Sequence, residues 1–328
     1  MVQTWWHRSA SVRWIDRLLW LALAGLAAAT LFALAARQIT YFDLFTHFRV
    51  QYAVGAGAVT LMALLLRRWI VVIAATVCAV PHLIVLESLV LPPPLAAAQA
   101  GAPPAAQILR LTTMNVAQNN TAEAPALSYI KATRPDVLIL QEASGTTHPL
   151  VRSLIELYPY HVSDEPAEHP KPILFSRFPI LSQGFVTPSG GGPAYVEAKL
   201  DVAGGEVTVI GLHLNAPISS SWSRRRNRQL AAIGQAVRRI EGPLIVAGDM
   251  NVTPWSPHFA DFLDVAADLV DAAQGRGWIP TWPVQVPPLR VPIDHILVNS
   301  ELAVVDLARG PDIGSDHFPL SARLAIRP

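Results

Sequence analysis

Carboxylate, amide and imidazole side chains lie at the ends of short apolar runs throughout the part of the chain that follows residue 107. In an α/β sheet, strand ends expose such side chains at one common edge. Carboxylate and amide oxygens are the ligands that Mg²⁺ and Mn²⁺ prefer, and imidazoles beside carboxylates suit proton transfer. The residues concerned are Asn115, Glu142, His213, Asp249, Asn251, Asp294, Asp316 and His317.

Other chemistries lack the residues that they require. Cys78 is the single cysteine, and no HExxH pair is present, so the sequence offers no zinc site of that kind. A GxxxxGK[ST] loop is also absent, which disfavours nucleotide-driven transfer. Taken one at a time the polar residues have structural alternatives, since Asp249 and Asn251 suit an Asx turn and Glu142 suits a helix cap. Their common position at strand ends favours one shared site for a divalent cation and proton transfer.

Short β-rich runs alternate with helical segments from residue 108 onward, which predicts an α/β domain over 108–328. Two segments have helical spacing, Ala124 to Thr133 and Trp222 to Ile240. The strand predictions are ILRLTTMN, VLILQE, AYVEAKLDV, VTVIGLHL, PLIVAGDMN and IDHILV.

The first 91 residues have a different composition. The whole chain is 52% hydrophobic and only 15% charged, whereas soluble domains carry about 25% charged residues. Three apolar segments flanked by Trp14, Trp20 and Trp69 predict a membrane anchor over 1–91. The predicted transmembrane helices cover about 18–36, 48–66 and 69–91.

The arginines beside these segments predict the orientation of the anchor. Arg8, Arg13 and Arg17 precede the first segment, and Arg67 and Arg68 separate the second from the third. Because positive flanks stay in the cytoplasm, three crossings place the C-terminal domain outside a cytoplasmic membrane. The prolines and alanines of 92–107 predict a semi-extended linker between the two.

The motifs MNV, LQE, GLHLNAP, GDMN, IDHILV and GSDHFPL occur in this order between Ile108 and about Ile326. Together they resemble the endonuclease/exonuclease/phosphatase superfamily, which includes deoxyribonucleases, abasic-site endonucleases, neutral sphingomyelinases and inositol-polyphosphate phosphatases. The resemblance implies a four-layered α/β sandwich, two packed β-sheets flanked by helices, following the three transmembrane helices. It also implies a hydrolase of phosphoric esters that depends on Mg²⁺ or Mn²⁺.

The same resemblance implies a set of metal ligands. Glu142 is similar to the family's principal ligand, Asn115 positions the metal, and Asp316 is a further ligand that also pairs with His317. Some relatives carry an acidic residue where this chain has Ala117, so the number of metal ions stays open.

The resemblance assigns catalytic roles to the remaining residues. Asp249 activates the attacking water, and Asn251 holds a phosphate oxygen. His213 contacts the scissile phosphate and His317 stabilises its charge, while Asp294 orients His213 or assists the metal site.

Three functions follow as hypotheses. The tether favours a phosphorylated lipid, such as a lipid phosphate or pyrophosphate, and the overall plan resembles bacterial membrane proteins linked to teicoplanin resistance. A second hypothesis is a membrane-tethered nuclease outside the cytoplasm, although a net charge of +1 gives no strong field for nucleic acid. A third is a catalytically silent membrane scaffold.

Overall fold

The computed structural model describes residues 10–91, 107–118, 120, 123–164, 170–189, 191, 193–203, 205–266 and 268–327. They divide into two compact units, one ending at Glu87 and the other beginning at Ser88. Nearly all of the predicted linker at 92–107 lies outside the described residues, so that prediction stays open.

The N-terminal unit is entirely helical. Two of its segments, Trp14–Leu34 and Trp69–Leu89, each have 21 residues with mean hydropathies of 1.9 and 2.4. Large apolar side chains such as those of Leu21 and Ile70 are exposed on the unit, 68% and 73% respectively, as expected for a lipid-facing surface. The helices are α1 Ala10–Leu34, α2 Arg49–Leu65 and α3 Trp69–Leu86, with 3₁₀ helices at Thr40–Thr46 and Glu87–Leu89.

The predicted span at 48–66 needs a correction. Helix α2 has 17 residues, which at about 1.5 Å per residue is shorter than a hydrocarbon core of roughly 30 Å. It has the length and composition of a span only together with the preceding 3₁₀ helix, and the two are bent by 61°. Two of the three predicted transmembrane helices are therefore long and apolar enough to cross a bilayer, and the third is a bent pair.

Buried polar side chains join the helices of this unit. His82 of α3 is fully buried, with its Nε2 3.0 Å from Thr30 Oγ1 of α1 and its Nδ1 3.2 Å from an Arg49 nitrogen of α2. Polar groups inside apolar helices are costly unless they have partners, so these contacts specify how the three helices pack.

The C-terminal unit contains two six-stranded sheets, which we number by their strands in chain order. The strands are β1 Ile108–Asn115, β2 Val137–Gln141, β3 Tyr160–Val162, β4 Ile173–Ser176, β5 Ile180–Val186, β6 Tyr195–Val202, β7 Gly205–His213, β8 Leu244–Asp249, β9 Val270–Asp271, β10 Asp294–Val298, β11 Leu302–Arg309 and β12 Leu320–Ile326. The helices of the unit are α4 Glu123–Thr133, α5 Pro149–Ile155, α6 Ser220–Val237 and α7 Pro257–Ala266.

Each sheet has one parallel pair at its centre, surrounded by antiparallel neighbours. The first sheet has the order β11-β12-β1-β2-β4-β3, and β1 and β2 are parallel. The second has the order β5-β6-β7-β8-β10-β9, and β7 and β8 are parallel. The carboxyl ends of both parallel pairs can therefore form one edge of the domain.

Side-chain alternation along the central strands produces four layers. Ile139 of β2 packs with Val209 of β7 in the core between the sheets. Leu138 and Leu140 point the other way and pack with α4 and α5, while Val246 of β8 packs with α6 and α7. The predicted sandwich of two sheets flanked by helices is confirmed.

Candidate active site

The polar residues predicted from the sequence converge where the two parallel pairs end. Asn115 ends β1 and Glu142 follows β2 directly. His213 ends β7 in register with Asp249, which ends β8, and Asp294 begins β10 directly opposite Asp249. Strand register thus brings together residues that are far apart in the chain.

Unusual backbone conformations surround these positions. Gly248 has φ +144, and a Cβ there would lie 2.0 Å from the carbonyl oxygen of Leu212, so only glycine fits before Asp249. Glu142 and Asn251 have positive φ values of 60° and 51° without being glycine. Such strained residues concentrate at functional sites, because the surrounding structure must hold them.

The amide of Asn115 links two carboxylates. Its Nδ2 donates to Glu142 Oε1 at 2.9 Å and to Asp249 Oδ2 at 3.2 Å. Its Oδ1 accepts from the Ala117 backbone at 3.0 Å, and the Gln118 backbone donates to Glu142 Oε2 at 3.2 Å. These bonds hold the two carboxylates side by side although they come from different sheets.

His213 lies against the same two carboxylates. Its Nε2 is 3.6 Å from Glu142 Oε1 and 3.7 Å from Asp249 Oδ2. Its side chain is 21% exposed and that of Glu142 is 33% exposed, whereas that of Asp249 is 2% exposed. A substrate can therefore reach His213 and Glu142 from solvent, while Asp249 lies beneath them.

A second histidine approaches Asp249 from the other side. His317 Nδ1 is 2.9 Å from Asp294 Oδ2, and His317 Nε2 is 3.7 Å from Asp249 Oδ2. Burial alone would lower the pKa of His317, but the charges of Asp294 and Asp249 raise it to about 10. Burial alone would raise the pKa of Asp294, but the charge and hydrogen bond of His317 hold it below its ordinary value. The pair is an imidazolium held by a carboxylate.

The pKa of Asp249 is shifted in the opposite direction from that of Asp294. Burial raises its pKa, and the nearby charges of His317 and His213 and the hydrogen bond from the Asn251 backbone offset this only in part. A carboxylate with a raised pKa is a better proton acceptor than an ordinary one, which suits a general base.

Two expected pairings are wrong. Asp316 does not orient His317: its Oδ2 accepts from Trp282 Nε1 at 3.0 Å, and Asp294 is the partner of His317. Of the two roles expected for Asp294, orienting His213 is replaced by contact with His317, while assisting a metal site stays a prediction, because its ligand atom lies near those of Asp249 and His317. Register contributes to this, since β10 pairs with β8 and places Asp294 beside Asp249.

Asn251 forms the Asx turn that was one of the alternatives considered from the sequence, and its role towards phosphate stays a prediction. Its backbone donates to Asp249 Oδ1 at 2.9 Å, which is the bond of an Asx turn. Its Nδ2 donates to the Leu214 carbonyl at 2.9 Å. The turn connects the segments that follow β7 and β8, so a structural turn and the candidate site are the same feature.

Helix α6 supports this turn with residues that the sequence did not single out as functional. Arg226 is fully buried and donates to the Asn251 carbonyl at 2.8 Å. Gln229 Oε1 accepts from the Asn215 backbone at 3.2 Å. Arg226 precedes Leu230 by four residues, which places it on the buried face of the helix although its neighbours Arg224 and Arg225 are exposed.

Several groups at the site suit a cation. The ligand atoms of Asp249, Asp294 and His317 lie within 4.8 Å of one another, and His317 Nδ1 already contacts Asp294 Oδ2. Glu142 and Asn115 are in contact, and each carboxylate oxygen can accept more than the bonds described. Among the described residues, Asp294 Oδ1 is buried without a hydrogen-bond partner. The donor set fits a hard divalent cation at the carboxylate of Glu142, which Asn115 holds in place through its Nδ2.

Solved structures with a similar fold come from bacteria and animals. An endonuclease/exonuclease/phosphatase from Beutenbergia cavernae has a TM-score of 0.55 and 21% identity, covering 67% of this chain and 72% of that one. The human Nocturnin catalytic domain with bound sulfate has a TM-score of 0.54 and 19% identity, covering 67% and 94%. TDP2 of D. rerio with a single-strand DNA product has a TM-score of 0.56 and 18% identity, covering 66% and 99%.

The sequence comparison agrees with the fold. No curated protein matches the chain. A sequence model of the Endonuclease/Exonuclease/phosphatase family matches residues 112–317, which include every predicted site residue and strands of both sheets. The chain therefore belongs to the endonuclease/exonuclease/phosphatase family, whose members are hydrolases of phosphoesters.

Proposed function

We propose that this protein is a membrane-anchored, Mg²⁺-dependent phosphoesterase that hydrolyses a phosphoester or pyrophosphate of a lipid carrier. The observation that carries the proposal is the contact of Asn115 with both Glu142 and Asp249, flanked by His213 and His317. This arrangement holds a base, a cation position and two imidazoles around one small volume.

Glu142 and Asn115, with Asp316 as a further candidate, would hold the cation. When bound, Mg²⁺ supplies positive charge that polarises a phosphoryl oxygen. Mn²⁺ would be accepted by the same oxygen donors.

The chain's own residues account for the remaining chemistry. Asp249 accepts the proton of the attacking water, because burial raises the pKa of this carboxyl group. The His317 imidazolium and His213 stabilise the charge that develops on the phosphate oxygens. Asn251 is proposed to donate to a phosphate oxygen while its backbone keeps Asp249 oriented.

The preference for a lipid rests on the N-terminal unit. Two helices long and apolar enough to cross a bilayer precede the catalytic domain, so the domain works close to a membrane surface. The proposal includes the branch of the family that resembles teicoplanin-resistance proteins. It also places the domain outside the cytoplasm, which requires the bent pair of helices to cross as the third span.

A nuclease is the second candidate, because the similar TDP2 of D. rerio was solved with a single-strand DNA product. Full-length protein with Mg²⁺ would be offered a polyprenyl pyrophosphate, sphingomyelin and plasmid DNA in parallel, with Asp249→Asn as the control. We expect phosphate release from the lipid, reduced by about 10²- to 10⁴-fold in the variant, as for loss of a general base. DNA nicking that disappears in the variant would replace the lipid proposal with the nuclease, and no turnover would favour a scaffold.

Reporters fused after Pro328 test the topology. With three crossings, an alkaline phosphatase reporter is active and a fluorescent protein fused at the same position stays dark. The opposite pattern would mean that only two helices cross and that the catalytic domain is cytoplasmic.

A further inference from the structure

A cleft of about 680 Å³ lies beside the candidate active site. Glu142 and His213 line one part of it, so the cleft is continuous with the proposed cation position. Lys171 and Arg225 also line the cleft, together with the ring of Trp222. The mechanism proposed above uses none of these last three residues.

The two basic side chains that line the cleft differ in whether they already have an acidic partner. Lys171 forms an ion pair with Asp164, and its Nζ lies 4.7 Å from the centre of the Phe185 ring. Arg225 is exposed on α6, and within the part of the chain that the structure describes it has no ion pair. Arg225 is therefore the cation in the cleft that is available to an anionic ligand.

The remaining wall is largely apolar. Pro193, Leu214 and Ala216 line the cleft beside Trp222, whose side chain is 39% exposed. The cleft thus presents an acidic reactive end, a cationic wall and an apolar wall. Among the described residues Arg225 forms no ion pair with Glu142, so the cationic wall is a second position for an anion besides the reactive end.

We propose that Arg225, assisted by Lys171, binds a second phosphate next to the one that reacts, so that the substrate is a diphosphate ester. This inference rests on the proposed function and names its substrate class. Trp222 and its apolar neighbours contact the group that the diphosphate carries. A guanidinium is suited to this role because it presents several donors to phosphate oxygens in a fixed plane.

The reaction balances as a hydrolysis. The water oxygen forms a bond to the terminal phosphorus, and the bond from that phosphorus to the bridging oxygen breaks. The bridging oxygen keeps the electron pair and leaves as the monophosphate ester, while Asp249 takes the proton of the water. Negative charge increases on the leaving phosphate, where Arg225 stabilises it.

The test compares two substrates on the full chain in detergent with Mg²⁺. Farnesyl diphosphate has a second phosphate, whereas bis(p-nitrophenyl) phosphate has a single phosphorus. In Arg225→Gln the ratio of their kcat/KM values should fall by about 10- to 100-fold, as expected when a hydrogen bond to a charged group is lost. Arg225→Lys should recover part of the ratio, and Lys171→Gln should lower it less than Arg225→Gln does.

Arg224→Gln is the matched control, because Arg224 is exposed on the same helix but does not line the cleft. An unchanged ratio in Arg225→Gln, or an equal fall in Arg224→Gln, would overturn the proposal. Adenosine diphosphate serves as a third substrate. If it is hydrolysed faster than farnesyl diphosphate and with the same dependence on Arg225, the diphosphate subsite is supported but the lipid as its source is not.

Binding separates this inference from the proposed function. Methylenediphosphonate, which resists hydrolysis, is titrated into Asp249→Asn and into Asp249→Asn with Arg225→Gln. The subsite is supported if Asp249→Asn binds methylenediphosphonate more tightly than methylphosphonate and the Arg225→Gln substitution abolishes this difference. That result holds even if the wild type hydrolyses nothing. Equal binding of the two phosphonates would contradict the subsite even if the protein is an active phosphoesterase.

Discussion

Asp294 and Asp316 were both predicted to belong to the site, and the structure gives them different partners. The Asp294 carboxylate accepts from Nδ1 of the His317 ring, so Nε2 is the nitrogen directed at Asp249. Asp316 is instead held by the indole of Trp282. The role of each carboxylate follows from its partner: Asp294 keeps the imidazolium charged and oriented, and Asp316 remains a candidate cation ligand.

Substituting each carboxylate tests this assignment. Asp294→Asn should lower kcat on bis(p-nitrophenyl) phosphate by about 10²- to 10⁴-fold, because the imidazolium loses its counter-charge and its orientation. Asp316→Asn should lower kcat at saturating Mg²⁺ by less than about tenfold, because an amide oxygen can still accept from Trp282. The reverse order of losses would mean that Asp316, not Asp294, orients His317 in the working enzyme.

A buried imidazolium also lies outside the reactive cluster. His295 Nδ1 is 2.8 Å from Asp271 Oδ2 and His295 Nε2 is 2.8 Å from the Val252 carbonyl. Both partners are acceptors, so both ring nitrogens must carry protons. Burial would lower the pKa of His295, but the charge and hydrogen bond of Asp271 outweigh it and raise the pKa.

This raised pKa predicts a pH dependence of stability. The stabilisation is fully present below the unfolded pKa of about 6.5 and is lost as the pH rises through the higher folded pKa. The difference in melting temperature between wild type and His295→Asn should therefore be largest near about pH 6 and shrink towards about pH 9. Phe259→Leu, which removes the ring stacked on His295, is the non-titrating control. A difference that grows with pH would contradict a charged His295.

Helix α6 has two faces with different tasks. Its buried face holds Arg226 and Gln229 against the segments that follow β8 and β7. Its exposed face carries Arg224, Arg225 and Arg228, of which Arg225 lines the cleft. One helix thus supports the turn at the candidate site with its buried face and lines the adjacent cleft with its exposed face.

Loss of the Arg226 contact should destabilise the catalytic domain. Arg226→Leu leaves the Asn251 carbonyl without its donor, so we expect the free energy of unfolding to fall by about 1.5–3 kcal/mol. Arg224→Leu on the exposed face should change it by less than about 0.5 kcal/mol. Urea unfolding followed by tryptophan fluorescence measures both, and equal effects would show that the buried contact does not stabilise the turn.

The two compact units differ in their surfaces and in the residues that they contain. The N-terminal unit has an apolar exterior and a buried polar contact among Thr30, Arg49 and His82. The C-terminal unit has its own core between the two sheets and all of the candidate catalytic residues. A unit with its own core can fold alone, so we expect the chemistry of the C-terminal unit not to require the N-terminal one.

Cutting the chain before Ser88, where the C-terminal unit begins, tests this division. The fragment 88–328 should fold and hydrolyse bis(p-nitrophenyl) phosphate with the kcat/KM of the full chain. Its activity on a diphosphate lipid in vesicles should fall, because the fragment is no longer concentrated at the surface. A fragment that is equally active on the vesicles would remove the tether as a reason to prefer a lipid substrate.

The strands that were predicted from the sequence all lie in the interior of the two sheets. The predicted runs became β1, β2, β6, β7, β8 and β10, whereas all four edge strands, β3, β5, β9 and β11, were missed. Central strands are buried on both faces and read as apolar runs, while an edge strand such as β5 is mostly exposed and has a weak pattern. The short β4 and the final strand β12 were missed as well.

The chemistry at the strand ends and the apolar character of the first 91 residues are local properties, so the amino-acid sequence alone was enough to identify them. Which side chains contact each other depends instead on strand register and on packing between distant segments of the chain. The pairing of β10 with β8 places Asp294 beside Asp249, and the segment before β12 brings His317 to both. Likewise, the docking of α6 buries Arg226, and the bend before Arg49 shortens the middle span. Residue types predict which reaction is feasible, but long-range contacts determine which side chains become hydrogen-bond and ion-pair partners.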